Sequence, residues 1–204
     1  MDRKEHWEGV YSSKRAERLG WYKAQLQPSL DWIRGLELPL DAPIIDVGGG
    51  ASTLIDDLLV AGHTAVTVLD ISENALSLLR ERLGNEAKNV DWIVSDITTA
   101  ELPARHFGLW HDRAVFHFLV DHDQQQRYRR NLLHALRPGG HLIVGTFATE
   151  APPKCSGLPV RRYDHASLAE TIGDEFELLH NHKEMHVTPG GVEQMYLYCH
   201  FHRQ

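Results

Sequence analysis

Ile44-Ile45-Asp46-Val47-Gly48-Gly49-Gly50-Ala51-Ser52 decides the reading of this 204-residue chain. Two β-branched residues lead into an acid, three glycines follow, and a run of helical character extends from Ser52 to Leu59. That order predicts a buried strand, a tight turn and a helix start. Glycine admits positive φ and carries no Cβ, so a ligand can lie against bare backbone. Asp46 speaks to the ligand's charge. A dinucleotide pyrophosphate at the helix start would be repelled by a carboxylate two residues before Gly48, and a ligand with a cationic end is favoured instead. The spacing G-x-G-x-x-G also fails, because Thr53 stands at the third glycine position.

The same strand–helix alternation continues downstream. Ala65 to Leu69 reads as a second strand stopping at Asp70, and Ser72 is placed to cap a helix over Glu73–Leu83 that Gly84 ends. Val90 to Val94 is a third strand ending near Asp96, and Phe107 to His111 a fourth, followed by Asp112. A polar helix from Asp121 to Leu136 closes at Pro138-Gly139-Gly140. Leu142 to Phe147, apolar almost throughout, is a fifth strand covered on both faces. Beyond a loop from Ala148 to Tyr163 and a short helix over Asp164–Ile172, Phe176 to Leu179 and Met195 to Tyr198 flank Thr188-Pro189-Gly190-Gly191 and predict an antiparallel hairpin. Upstream, Ser29 is the expected cap of a helix running to Leu36. The fold class is therefore α/β: a three-layer sandwich around a mostly parallel seven-stranded sheet with an antiparallel C-terminal hairpin, its ligand at the carboxyl ends of the strands.

Composition narrows the function. With 42% hydrophobic residues, residues 1–204 suffice for one domain, which includes an aromatic arm or lid over residues 1–28 that carries Trp7, Tyr11, Trp21 and Tyr22. A formal charge of −7 argues against nucleic-acid and membrane-surface partners. No apolar run is long enough to span a bilayer and no signal-peptide pattern is present, and two cysteines suit a reducing compartment, so a cytoplasmic protein, monomer or homodimer, is expected. The 14 histidines invite a metal reading, since His180 and His182, and His200 and His202, each share a strand face. No cysteine or carboxylate cluster completes such a site, and no metal is expected.

Four acids, Asp46, Asp70, Asp96 and Asp112, fall at the ends of four successive expected strands, where this fold opens its crevice. With the acid and glycine turn after the first strand, they make the stretch from Pro43 to Phe147 resemble the class I S-adenosylmethionine (SAM) methyltransferases. The resemblance implies SAM as cofactor. It implies that Asp46 and the backbone at Gly48 and Gly50 hold the methionine part and that Asp70 takes the ribose hydroxyls. Ile71 would pack on adenine, with Asp96 and Ile97 reading its edge. The Trp7…Tyr11…Trp21 spacing is similar to that of small methyltransferase-like protein-lysine methyltransferases, in which such aromatics line the SAM pocket. After the fourth strand this chain departs from that group, and thiol and chalcogen methyltransferases are the other group of this size.

Asp112, Arg113 and His117 lie where the methyl group should point and are the candidate catalytic residues. A histidine can act as general base near neutral pH, and an arginine can orient an anionic acceptor bidentately. Cys155 sits in the loop over the same rim and is read as an ordinary loop cysteine. A small-molecule acceptor, a thiol or related soft nucleophile, is expected. Protein lysine is the alternative acceptor, and a non-catalytic SAM-binding partner subunit the alternative of another class.

Overall fold

A computed structural model describes residues 2–13 and 16–204. Seven strands form one sheet in the order β3-β2-β1-β4-β5-β9-β8. The first five are β1 (Ile44–Val47), β2 (Val66–Asp70), β3 (Val90–Val94), β4 (Phe107–Arg113) and β5 (Leu136–Phe147), and their pairings are parallel. β8 (Phe176–Val187) and β9 (Glu193–Arg203) form the hairpin, with β9 antiparallel to both β5 and β8. The expected α/β architecture is the one observed. The loop from Ala148 to Tyr163 contains a small hairpin of its own, β6 (Lys154–Cys155) with β7 (Leu158–Pro159).

Helices cover both faces of the sheet. α5 (His122–Ala135) and α6 (His165–Ile172) pack with Ile45, Val47, Trp110, Leu142, Val144 and Phe201 on one side. α2 (Gln27–Gly35), α3 (Leu54–Val60) and α4 (Glu73–Leu83) pack with Ile44, Val66, Val68, Leu109 and Ile143 on the other. The period of two along a strand sends alternate residues to opposite layers, so each of β1, β4 and β5 divides its side chains between two cores.

Several boundaries differ from the sequence reading, β5, β8 and β9 all running longer than expected. β4 does not stop at His111 but continues through Asp112 and Arg113, which pair with Val144 and Gly145 of β5. The α2 helix begins at Gln27 with Pro28 in its first turn, and the expected cap Ser29 lies inside it with its hydroxyl turned to the sheet. Pro28 supplies the helix start, since its missing N–H is no loss in a first turn. Ser72 does cap α4, accepting from the Ala75 N–H at 3.2 Å.

α1 (Arg3–Ser13) lies against α4. The Glu8 carboxylate accepts from the Glu73 N–H, the Asn74 N–H and the Ser72 hydroxyl, so a residue of the arm caps the α4 N-terminus from outside. Arg3 pairs with Asp96 at 2.7 Å on the opposite rim of the crevice.

Candidate active site

A cleft of about 750 Å³, counted to its open mouth, lies at the carboxyl ends of β1, β2 and β4 under the arm. Its floor is Val47, Gly48, Asp70 and Ile71, its far side Asp96 and Ile97, and its roof Trp7, Tyr11 and Trp21. The three roof rings meet edge to face or tilted, with centroids 5.5 to 6.4 Å apart. A second cavity of about 450 Å³ adjoins it beneath residues 16–26 and is lined by Asp46, Gly48, Gly49, His111 and Arg113. Gly48, Trp21 and Arg113 border both.

Gly50 lines neither cavity; its φ is +43°, and a Cβ there would come within 2.5 Å of the Tyr11 hydroxyl and 3.0 Å of Asp70. The arm and the second strand therefore close on the turn only because that position carries no side chain. Asp70 accepts from the Ser72 N–H at 2.9 Å. Burial raises its pKa to about 7; the backbone N–H of Ser72 opposes that shift and the nearby Asp46 adds to it.

Asp46 is fixed by a chain absent from the sequence reading. Its Oδ1 lies 2.6 Å from His111 Nδ1, and His111 Nε2 lies 2.8 Å from the Ser29 hydroxyl, all three residues being buried. An ionised carboxylate only accepts, so Nδ1 carries the proton, and a neutral ring then accepts from Ser29 at Nε2. The other carboxylate oxygen, Asp46 Oδ2, is buried without a partner. Register could have exposed this link, because Asp46 and His111 are direct partners across β1 and β4. Ser29 gave no such signal, because a serine near a helix start reads as a cap.

Of the three candidate catalytic residues, only Arg113 borders the cleft. The expectation that Asp112 faces the acceptor is corrected by the length of β4, whose pleat turns this residue toward α5. There Asp112 accepts from the Tyr128 hydroxyl at 2.8 Å and from the Val115 and Phe116 N–H groups. Burial raises its pKa to about 6 against those hydrogen bonds. His117 is likewise fully buried, its Nδ1 accepting from the Phe147 N–H at 3.2 Å. Burial, and then the charge of Arg113, push its pKa down to about 3, so it stays neutral. Cys155 is buried at the cleft wall and burial lifts its thiol to about 11, which keeps it protonated.

The histidines of the terminal hairpin lie against one another, His141 of β5 and Trp32 of α2. His141 and His200 meet at 3.0 Å and Trp32 stacks on His200, and no group of three or more potential ligands among the described residues could hold a metal ion. Among those residues, no helix is long and apolar enough to cross a membrane.

Residues 44–140 match the family model described as a methyltransferase domain. Nodulation protein S of Rhizobium tropici is 32% identical over 135 residues, 64% of this chain and 50% of that protein. EEF1A lysine methyltransferase 2 of Mus musculus is 24% identical over 155 residues, 69% of this chain and 64% of that protein. The chain thus spans about half to two thirds of the length of these relatives. Among solved structures, the N-methyltransferase NodS of Bradyrhizobium japonicum, in complex with S-adenosylhomocysteine (SAH), superposes with a TM-score of 0.73 at 16% identity, covering 99% of each chain. Residues 44–140 thus carry a methyltransferase domain, and the sheet order and acid-lined crevice around them support the class I SAM-dependent methyltransferase family.

Proposed function

We propose that this chain binds SAM in the acid-lined cleft and transfers its methyl group to a small acceptor, a thiol or related soft nucleophile. Asp46 offers its unpartnered Oδ2 to the ammonium of the methionine part, beside the bare backbone of Gly48 and Gly50. Asp70 accepts from the ribose hydroxyls, while Ile71, Asp96 and Ile97 line the adenine end under Trp7, Tyr11 and Trp21. The match is electrostatic: SAM carries two cationic centres, and the cleft has Asp70 and Asp96 along it while Asp46 lines the adjoining cavity. When bound, SAM supplies an electrophilic methyl on a sulfonium; the chain supplies alignment and a dry, apolar wall.

One observation carries the acceptor reading: among the described residues, no ready general base borders the cleft beside Arg113. Asp112 and His117 are both committed under the wall, Cys155 is held as the neutral thiol, and Arg113 is a cation. An ammonium acceptor must lose a proton before it can attack, whereas a thiol is already partly ionised near neutral pH. Arg113 at the cleft edge favours that anion.

A second reading, methylation of protein lysine, is supported by the likeness to EEF1A lysine methyltransferase 2. SAM consumption with a panel of small thiols, run beside radiolabel transfer from SAM into proteins of a cell lysate, separates the two. Thiol turnover is the expected result. Labelled protein bands with no thiol turnover would replace the small acceptor by lysine, and neither product with intact SAM binding would make the chain a non-catalytic SAM-binding subunit.

A further inference from the structure

Arg113, the last residue of β4, is held by neutral groups alone. Its Nε donates to the Tyr198 hydroxyl at 2.8 Å, its Nη1 donates to the Trp21 carbonyl at 2.8 Å, and its Cζ lies 4.4 Å from the centre of the Tyr196 ring. Gly145 across the ladder makes the seat, because a Cβ there would come within 3.3 Å of Arg113 Cγ and 3.1 Å of Tyr198. The third nitrogen, Nη2, is buried and has no partner. Among the described residues no carboxylate forms an ion pair with this guanidinium; the nearby Glu184 pairs with Lys23 at 2.5 Å through Oε1, and its buried Oε2 is without a partner.

Glu184 eases the burial of this guanidinium only at a distance, and a donor nitrogen withdrawn from water with nothing bonded to it is costly, so a seat this rigid calls for an anion when the site is filled. The position narrows which anion. Arg113 borders both cavities, and Asp46, whose Oδ2 is an unpartnered atom of opposite sign, lines the smaller of them. The two charges share one cavity and do not pair with each other. With Nη2 wholly free and Nη1 keeping a second hydrogen beside the one given to Trp21, this fixed planar group suits the two oxygens of a carboxylate better than a point anion.

We propose that Arg113 is a carboxylate receptor at the junction of the two cavities, loaded by the α-carboxylate of the cofactor's amino-acid tail or by a carboxylate on the methyl acceptor. The first source rests on the SAM reading; the second does not.

Calorimetric titrations of wild type, Arg113→Met and Arg113→Lys distinguish the sources. SAH carries the amino-acid tail, and 5′-methylthioadenosine has the same nucleoside and sulfur without it. The second arm titrates 3-mercaptopropionate and its methyl ester into SAH-saturated protein. If the cofactor loads the site, Arg113→Met weakens SAH at least tenfold and leaves 5′-methylthioadenosine unchanged. If the acceptor loads it, SAH affinity is retained, and an acid-over-ester preference of at least tenfold in wild type disappears in the variant. Arg113→Lys keeps the charge and loses the fork, recovers only part of either effect, and carries the comparison should Arg113→Met fail to fold. An unchanged SAH-to-methylthioadenosine ratio together with an unchanged or absent acid preference overturns the proposal. Failure of wild type to bind either nucleoside would instead overturn the SAM reading, with the acid–ester pair, titrated into the protein alone, still reporting on Arg113.

Discussion

The two faces of the sheet put the same kinds of residue to opposite uses. At the end of β4, Trp110 and Asp112 turn toward α5, where Tyr128 receives the indole N–H and gives its own proton to Asp112. Their neighbours His111 and Arg113 turn the other way and meet Asp46, Ser29, Tyr198 and the carbonyl of Trp21. On the first face every polar atom of the group is satisfied, which is the condition for a buried network that adds rigidity. On the second face Asp46 Oδ2 and Arg113 Nη2 are left over. Completeness marks the structural side, and unmatched charge marks the side that waits for a ligand.

Removing Asp112 should break the fold side and spare the ligand side. Asp112→Ala strands the Tyr128 hydroxyl and two backbone N–H groups in the core, for an expected loss of about 3 kcal/mol in chemical denaturation. An unchanged midpoint would show that the α5 face does not depend on this carboxylate.

On the ligand face, His111→Leu removes the donor that orients Asp46 and leaves Ser29 without its acceptor. SAH affinity should fall by about 2 kcal/mol, and Asn, which can still donate to the carboxylate, should recover part of it. A loss of stability with SAH affinity per folded molecule intact would make His111 a core residue only.

The pH dependence sharpens the same contrast. Asp70 titrates near 7 in the free cleft, and the ribose hydroxyls call for its carboxylate form. SAH affinity should therefore rise with pH up to about 7 and then level, with a limiting slope of about tenfold per pH unit below it. Folding runs the other way. The native pKa lies above the ordinary aspartate value of 3.8, so between about 4 and 7 the native state holds the proton more tightly and Asp70's contribution to stability declines as pH rises. Asp70→Asn should flatten both trends; persistence of the binding slope would assign it to another group.

The smallest effect expected is at the arm. Glu8→Ala removes the external cap of α4, at about 1 kcal/mol, and should speed amide exchange in residues 3–13 without altering exchange in β1 or β4. Unchanged exchange in α1 would mean that the aromatic roof alone holds the arm down.

Much of this was legible in the residues. Strand–helix alternation and the acids after each apolar run located the sheet and the crevice, because both follow from local pattern and topology. The split at the end of β4 was not. In Phe-Gly-Leu-Trp-His-Asp-Arg no alternation shows, because the strand is covered on both faces and polar groups are admitted wherever a partner exists across the core. Asp112 therefore looked like a loop acid at a strand end. Its partner Tyr128 sits in a helix so polar that nothing marked it as the buried end of a hydrogen bond. Arg113's role depended on Tyr198 and Gly145, brought beside it only by the register of β5 with β9.

The division of labour between the two faces is tested most directly by titrating SAH into Asp46→Ala and Asp112→Ala at a temperature where both remain folded. The account predicts that Asp46→Ala binds SAH weaker by about 2 kcal/mol at near-wild-type stability, and that Asp112→Ala binds it as wild type does while unfolding earlier. Wild-type affinity in Asp46→Ala, or a comparable loss of affinity in Asp112→Ala, would contradict it.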